Sequence, residues 1–367
     1  MSAMPTAPFP ADLGIDHVEL HVSDVEAAAA DFRNRYGFTV VGAAGSPAEG
    51  FRSLALVQGR ITLVLTEATV DDHPATAFVL AHGDGIANIA LRTTDAAEAF
   101  AEAVRRGGRP VAAPQEHPGE HPAVTATIAG FGDIVHTFVQ RDPADPARLP
   151  IGFSPVERQP DESADLPRLL EVDHFAVVVP ADELDQTVAY YRSVLGFEQT
   201  FAERIAVGTQ AMNSKVVQSI SREVTFTVIE PDTSADPGQI DSFLKKHGGA
   251  GVQHVAFSTA DAVASVRVLA DRGVQFLATP GAYYDALAQR VTPKTHTVDE
   301  LRELSLLIDE DHGGQLFQIF TRSAHERKTL FFEVIERIGA ETFGSSNIKA
   351  LYEAVEAERL KRDGSER

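Results

Sequence analysis

The strongest constraint on the fold of this chain is an internal repeat that occurs once in each half. Residues 15–22 read IDHVELHV and residues 172–179 read VDHFAVVV, both in the manner of buried or half-buried strands. Each stretch precedes a helix-like segment that ends in a Gly-Phe pair, at Gly37 and at Gly196. Glycine is typical of a helix C-terminus because it adopts the left-handed conformation without strain. Both halves are therefore predicted to begin as strand, helix and strand.

A second unit is also repeated. Residues 87–95 (ANIALRTTD) lead into the helical pattern AAEAFAEAVRRGG, and residues 253–261 (QHVAFSTAD) lead into AVASVRVLADRGV. The chain thus carries four units of one strand, one helix and several strands, two in each half. Its 367 residues suffice for two domains with a core in each. The predicted class is α+β, with two domains that are each built from two of these units.

The domain boundaries follow from a change in composition. Between the halves lies a segment rich in Pro, Asp and Arg with little hydrophobic periodicity, and the last residues form an amphipathic pattern. The predicted parts are an N-terminal domain (1–141), a linker (142–169), a C-terminal domain (170–345), and a C-terminal helix with its tail (346–367).

The two halves are not equivalent in their polar residues. His17 matches His174, but Asn88 takes the place of His254. The strand pattern LFFEVIER, which contains Glu333, has no evident counterpart in the first half. We therefore expect the N-terminal domain to be a structural copy without a metal.

His174, His254 and Glu333 each lie inside an apolar strand pattern of the second half. A single strand histidine is more often a core or surface residue than a ligand, and gaps of 80 and 79 residues form no local motif. A carboxylate that follows Phe331 and Phe332 and precedes Val334, however, needs a partner if it is buried. Two imidazoles and one carboxylate on one face match the facial arrangement of non-heme Fe(II) oxygenases. The chain has no cysteine, so any metal must be held by His and carboxylate groups.

Charge and composition exclude other classes of function. The formal net charge is −21, which disfavours binding to nucleic acid or to an anionic membrane. The sequence shows no signal peptide, no run of 18 apolar residues, no phosphate-binding loop and no dinucleotide fingerprint. We expect a cytoplasmic protein that acts on a small molecule, with a homodimer as an open possibility.

Longer motifs resemble one family. VDHFAVVV, AMNSKVVQS, GVQHVAF, GGQLFQIFT, FFEVIER and FGSSNIKALYEAVE are similar to motifs of the 4-hydroxyphenylpyruvate dioxygenase family, which includes the 4-hydroxymandelate synthases and has the vicinal oxygen chelate fold of tandem βαβββ modules. The resemblance covers nearly the whole chain and implies two domains that are each an open, barrel-like sheet flanked by helices. It implies that His174, His254 and Glu333 are catalytic ligands of Fe(II). It also implies a substrate pocket formed by Ser214, Thr227, Ile229, Gln239, Gln253, Gln318, Phe320, Phe343 and Ile348.

The family carries out two reactions on 4-hydroxyphenylpyruvate and O2, and three positions bear on the choice. Ile348 stands where the dioxygenases typically have Phe, Thr227 where they have Pro, and Ile229 where they have Asn. These departures resemble the synthases, which form (S)-4-hydroxymandelate and CO2 and supply 4-hydroxyphenylglycine for antibiotic biosynthesis. The first alternative is a dioxygenase of tyrosine catabolism that forms homogentisate. The second is a non-catalytic binding protein of the same fold.

Overall fold

A computed structural model describes residues 9–145, 149–157 and 166–344, together with Asn347 and Lys349. Within these ranges no helix is both long and apolar enough to cross a membrane. The predicted C-terminal helix lies almost wholly outside the described residues. Of that segment, Asn347 is buried, and its side-chain amide lies 3.2 Å from the hydroxyl of Tyr283.

The first half consists of two βαβββ modules. The first module contains β1 (Gly14–His21), α1 (Val25–Tyr36), β2 (Thr39–Ser46), β3 (Phe51–Gln58) and β4 (Ile61–Ala68). Helix α2 (Pro74–His82) connects it to the second module, which contains β5 (Gly85–Arg92), α3 (Ala96–Arg105), β6 (Pro110–His117), β7 (Ala123–Ala129) and β8 (Val135–Gln140). The short strand β9 (Ser154–Pro155) pairs with β2 from within the predicted linker.

The second half repeats this order. Its first module contains β10 (Leu169–Val178), α4 (Leu184–Val194), β11 (Glu198–Val207), β12 (Gln210–Gln218) and β13 (Thr225–Pro231), and α5 (Gln239–His247) follows. Its second module contains β14 (Gly251–Thr259), α6 (Ala262–Asp271), β15 (Leu307–Glu310), β16 (Gln315–Phe320) and β17 (Phe331–Ile338). Helices α7 (Gly281–Asp285) and α8 (Val298–Leu304) are inserted between α6 and β15. The predicted fold of tandem βαβββ modules is confirmed.

Local sequence explains where the helices begin and end. Asp24, Asp95 and Asp261 precede α1, α3 and α6, and each accepts a hydrogen bond from the backbone N–H three residues later. Gly37 ends α1 with a φ of 74°, and Gly196 follows α4 with a φ of 68°. The glycines of the repeat are therefore helix C-terminal residues, as the sequence predicted.

Each half forms one curled mixed sheet, so that the two modules of a half stand side by side. The strand order is β6-β7-β8-β5-β1-β4-β3-β2-β9 in the first sheet and β11-β12-β13-β10-β14-β17-β16-β15 in the second. The central pairs, β1 with β5 and β10 with β14, are antiparallel. The two sheets are equivalent, because the first strands of the two modules form the centre of each.

Successive side chains of β10 point to opposite faces of the second sheet. Phe175 and Val177 belong to the main core with residues of α4 and α6, whereas Ala176 and Val178 belong to a separate cluster with Ile229. We call the side of Ala176 and Val178 the inner face. It lines the hollow of the curled sheet, which is where a ligand binds in open barrels.

One sequence expectation was wrong. The strand of Glu333 does have a counterpart, since β8 pairs with β5 in parallel just as β17 pairs with β14. In this register Thr137 occupies the place of Glu333. The sequence hides this equivalence because Glu333, the most distinctive residue of β17, is replaced by Thr137 in β8.

Candidate metal centre

Strand register brings His174, His254 and Glu333 together on the inner face. His174 is paired with Ala256 of β14, and Ala256 is paired with Glu333 of β17. His254 lies two residues before Ala256 and therefore points to the same face. The residue paired with both His174 and Glu333 is Ala256, whose side chain is only a methyl group.

The three side chains lie close enough to share one ion. The Nε2 atoms of His174 and His254 lie 3.4 Å and 3.3 Å from Oε2 of Glu333, and the two imidazole rings are 5.7 Å apart at 78°. Neighbouring ligands of an octahedral ion with bonds of about 2.1 Å are roughly 3 Å apart. All three side chains are buried. The two distances place Glu333 next to each histidine in such a shell, and the three ligand atoms all lie within 4.8 Å of one another, as binding of one ion requires.

Burial and mutual charge set the ionisation of this group. Burial opposes the charged form of His174, but Glu333 and Asp173 outweigh it and raise the His174 pKa to about 9. Burial lowers the pKa of His254 despite the nearby carboxylate. The pKa of Glu333 is lowered, because the two histidines outweigh the effect of its burial. Without a metal, a proton on His174 is thus the counter-charge of Glu333.

Two buried atoms of the group have no protein partner, namely Oε1 of Glu333 and Nδ1 of His254. A buried carboxylate oxygen without a partner is costly, and a cation at the carboxylate removes that cost. Two imidazoles and one carboxylate also suit a divalent transition metal. The residues present therefore fit Fe(II), as the sequence predicted.

The two histidines are held in different ways. Nδ1 of His174 is 2.8 Å from Oδ1 of Asp173, whose carboxylate also accepts two hydrogen bonds from the guanidinium of Arg337. His254 instead stacks on Phe331 at 4.9 Å and 28°, and meets the edge of Phe320 at 5.7 Å and 74°. One imidazole is oriented by hydrogen bonding and the other by aromatic packing.

Three of the nine predicted pocket residues lie beside this centre. Phe320 is paired with Glu333, and Gln318 lies two residues before it on the same face with its buried Oε1 unpartnered. The Phe343 ring meets the His174 ring edge-on at 5.0 Å and 87°. These three side chains surround the metal ligands.

Three further pocket residues, Ser214, Thr227 and Ile229, lie farther along the inner face. Thr227 is paired with Ala176 and has an unpartnered buried hydroxyl, while Ser214 is paired with Ile229. A β-bulge places Gln253 beside His254. Gln239 is half-buried at the start of α5, and Ile348 lies outside the described residues.

A second group of possible ligands contains Asp261, His296 and Glu336. The Glu336 carboxylate already accepts hydrogen bonds from the Ala262 N–H and from His296, each at 2.7 Å. Asp261 accepts from the N–H of Ala264. These contacts hold the N-terminus of α6, and the group is best explained as a helix cap.

Sequence reasoning missed Asp173 and Arg337. A signal for both was present in the repeat, because Asp-His occurs at residues 16–17 and 173–174, and an arginine follows four residues after Thr137 and after Glu333. Without the equivalence of β8 and β17, the two arginines could not be aligned.

Comparisons with known proteins agree with this geometry. A family described as the N-terminal part of hydroxyphenylpyruvate dioxygenase matches residues 8–148, and the glyoxalase/bleomycin resistance protein/dioxygenase superfamily matches residues 171–319. The 4-hydroxyphenylpyruvate dioxygenase of Yarrowia lipolytica is 31% identical over 95% of this chain and 93% of its own length. A probable 4-hydroxyphenylpyruvate dioxygenase of Aspergillus fumigatus is 34% identical over 96% and 95%.

Among solved structures, a mutant 4-hydroxymandelate synthase from Streptomyces coelicolor superimposes with a TM-score of 0.85 at 42% identity, covering 96% of this chain and 100% of that one. Relatives above 30% identity thus span almost the entire chain. With two curled sheets of paired βαβββ modules and one buried His-His-Glu group, the chain belongs to the 4-hydroxyphenylpyruvate dioxygenase family.

Proposed function

We propose that this protein is a 4-hydroxymandelate synthase, which converts 4-hydroxyphenylpyruvate and O2 to (S)-4-hydroxymandelate and CO2. The observation that carries the proposal is the 42% identity and full-length likeness to a 4-hydroxymandelate synthase, against 31% and 34% for the two curated dioxygenases described above. The reaction balances, since one oxygen atom enters the new carboxylate and the other becomes the benzylic hydroxyl.

In this proposal His174, His254 and Glu333 hold Fe(II) and leave the other coordination positions to substrate and O2. Fe(II) supplies a chelation site for the 2-oxo acid and the electrons that activate O2. The protein contributes a rigid frame, because the three ligands stand on adjacent strands of one sheet. Their burial keeps bulk water from the reacting atoms.

The remaining pocket residues are proposed to orient the substrate. Phe320 and Phe343, beside the two histidines, form walls for an aromatic ring. The unpartnered polar atoms of Gln318 and Thr227 are available to polar groups of the substrate. The product depends on which carbon of the substrate is presented to the metal, and a displacement of about an ångström is enough to change reactivity.

Ile229 and Thr227 support the synthase over the dioxygenase. Ile229 packs in the apolar cluster with Ala176 and Val178, so the inner face offers no amide at this point. The change removes a polar group that would suit ring hydroxylation. In this proposal, benzylic hydroxylation follows from how the pocket places the substrate ring.

The second candidate is a 4-hydroxyphenylpyruvate dioxygenase, which the names of the curated relatives favour. It needs the same ligands and the same substrate, and differs only in forming homogentisate. A non-catalytic binding protein is disfavoured because it has no use for a buried His-His-Glu group.

One assay separates these candidates. The purified protein is incubated with 4-hydroxyphenylpyruvate, Fe(II) and O2, and the products are resolved by chromatography on a chiral column. We expect one CO2 per O2 consumed and (S)-4-hydroxymandelate. Homogentisate as the main product would replace the proposal with the dioxygenase, and unconsumed substrate under saturating Fe(II) would support the binding protein.

A further inference from the structure

Arg337 lies just outside the metal ligands and makes two separate sets of contacts. Its Nε and Nη2 donate to the two carboxylate oxygens of Asp173 at 2.7 Å and 2.9 Å, and Asp173 in turn holds Nδ1 of His174. This two-pronged pairing fixes the plane of the carboxylate, since the guanidinium is rigid and planar. The orientation of the His174 ring therefore depends on Arg337.

The second set of contacts reaches the segment after β17. Nη1 of Arg337 donates to the carbonyl of Thr342 at 2.5 Å, and its guanidinium lies over the ring of Phe343 at 5.1 Å. Phe343 meets the edge of His174 at 5.0 Å. Arg337, Asp173, His174 and Phe343 thus form a closed circle of contacts with the metal ligand as one member.

The first half contains the same ion pair without the metal group. Arg141 donates to both oxygens of Asp16 at 2.6 Å and 2.7 Å, His17 lies 2.6 Å from the same carboxylate, and Nη1 of Arg141 donates to the carbonyl of Leu149. Among the described residues of that half, no group of three possible ligands is found. The aspartate–arginine pair by itself therefore has a structural role in both halves. In the second half it has the added role of acting on the metal ligand His174.

We propose that Arg337 is a positioning residue that sets the orientation of the metal ligand His174 through Asp173 and that of the ring of Phe343 through stacking. One side chain thereby aligns the metal centre with an aromatic wall of the pocket. The inference rests on the proposed Fe(II) site but not on which product is formed. It applies to His174 alone, because His254 is held by the rings of Phe331 and Phe320.

The test compares Arg337→Lys with its counterpart Arg141→Lys. Lysine keeps the positive charge beside the aspartate but cannot bond both oxygens, reach the backbone carbonyl and cover a ring at once. Dissociation constants for Co(II) and Fe(II) are measured by competition with a chelator, and the visible spectrum of bound Co(II) reports the ligand geometry. Thermal unfolding reports the structural role that both arginines share.

We expect Arg337→Lys to weaken metal binding by about 10- to 100-fold and to alter the Co(II) spectrum. Arg141→Lys should leave the metal dissociation constants within twofold of the wild type and the Co(II) spectrum unchanged. Both lysine variants should unfold at a lower temperature than the wild type. Arg337→Lys should also raise the KM for 4-hydroxyphenylpyruvate, because Phe343 loses its stacking partner. Asp173→Asn, matched with Asp16→Asn, repeats the metal comparison if the lysine variant does not fold.

Equal metal affinities for Arg337→Lys and Arg141→Lys would overturn the proposal, whether both are unchanged or both are weakened. Failure of the wild type to bind either metal would instead refute the Fe(II) site. If the metal effect appears but homogentisate is the product, the positioning role stands and the synthase assignment fails.

Discussion

The two halves share one architecture and one Asp-His-Arg arrangement, yet only the second has a group of possible metal ligands among the described residues. The halves differ in whether the polar side chains at these equivalent positions are hydrogen-bonded to one another. In the first half, Asn88 donates to the hydroxyl of Thr137 at 3.0 Å, and the backbone N–H of Thr137 donates back at 3.2 Å. The hydroxyl of Thr127 lies 3.0 Å from the hydroxyl of Thr137. That network is complete without an ion.

The second half is incomplete at the same positions. Its carboxylate and one of its imidazoles each present a buried atom with no partner. Glu19 occupies the place of Ala176 and accepts a hydrogen bond from Thr66 at 2.8 Å, so the first half has a hydrogen-bonded carboxylate where the second half has a methyl group. Unpartnered buried atoms identify the functional half better than the presence of a histidine does, because both halves have a histidine at the equivalent position, as His17 and as His174.

The largest expected effect comes from replacing the carboxylate. Glu333→Gln removes the only charged ligand, and we expect kcat/KM for 4-hydroxyphenylpyruvate to fall by at least about 10³-fold, together with loss of tight Fe(II) binding. Thr137→Val at the equivalent position should leave kcat/KM within twofold. Turnover by Glu333→Gln at a tenth of the wild-type rate would show that Glu333 is not a ligand.

The interface between the halves should be sensitive to acid. Burial lowers the pKa of His136 to about 4, and burial followed by the charge of His82 lowers that of His247 to about 4. His136 is hydrogen-bonded to Tyr191 of the other half, and His247 stacks on His82 at 4.4 Å. Both residues are therefore neutral in the folded protein at neutral pH.

Between about pH 6.5 and 4 the unfolded chain binds more protons at these histidines than the folded chain does, so stability is lost as the pH falls. Each histidine is expected to contribute roughly 3 kcal/mol to this loss. Urea unfolding at several pH values measures it, and His136→Gln should flatten the dependence. An equally steep dependence in that variant would show that His136 is not responsible.

A smaller effect should follow from the ring that supports His254. Phe331 is paired with His254, whereas Val135 is paired with Asn88 in the first half. Phe331→Val would copy the first half and remove the stacking, and we expect metal affinity to fall by up to about tenfold. Chelator competition measures this change. The conservative Phe331→Tyr should retain the affinity of the wild type, and a loss as large as that of Phe331→Val would argue against the stacking.

The smallest effect concerns product choice rather than rate. Ile229→Asn places an amide in the apolar cluster of the inner face, and Ile348→Phe adds a ring in the C-terminal segment. We expect each to divert a few per cent of the product from 4-hydroxymandelate to homogentisate, because the substrate ring moves only slightly. Chromatography of the products detects this, with Ile205→Leu, in the same apolar cluster, as a volume-conserving control. An unchanged product ratio in both variants would remove these positions from the specificity argument.

The sequence was sufficient for the modules and for the ligands. The repeated Asp-His strands, the glycines that end the helices and the three polar residues in apolar strands depend on local patterns, and local patterns determine periodicity and helix ends. The predicted domain boundaries, cytoplasmic location and homodimer remain predictions. The expectation that the strand of Glu333 lacked a counterpart was wrong, since strand equivalence depends on pairing and not on similarity of side chains.

Sequence patterns alone therefore determined that strand–helix units occur twice in each half, and the family resemblance implied that His174, His254 and Glu333 hold one metal. Only the tertiary structure showed that Arg337 reaches Asp173 across 164 residues and that Thr137 takes the place of Glu333. It alone showed which buried atoms lack partners. The physical reason is that a residue's type sets what it can bind, whereas the presence of a partner depends on how distant strands align across a sheet.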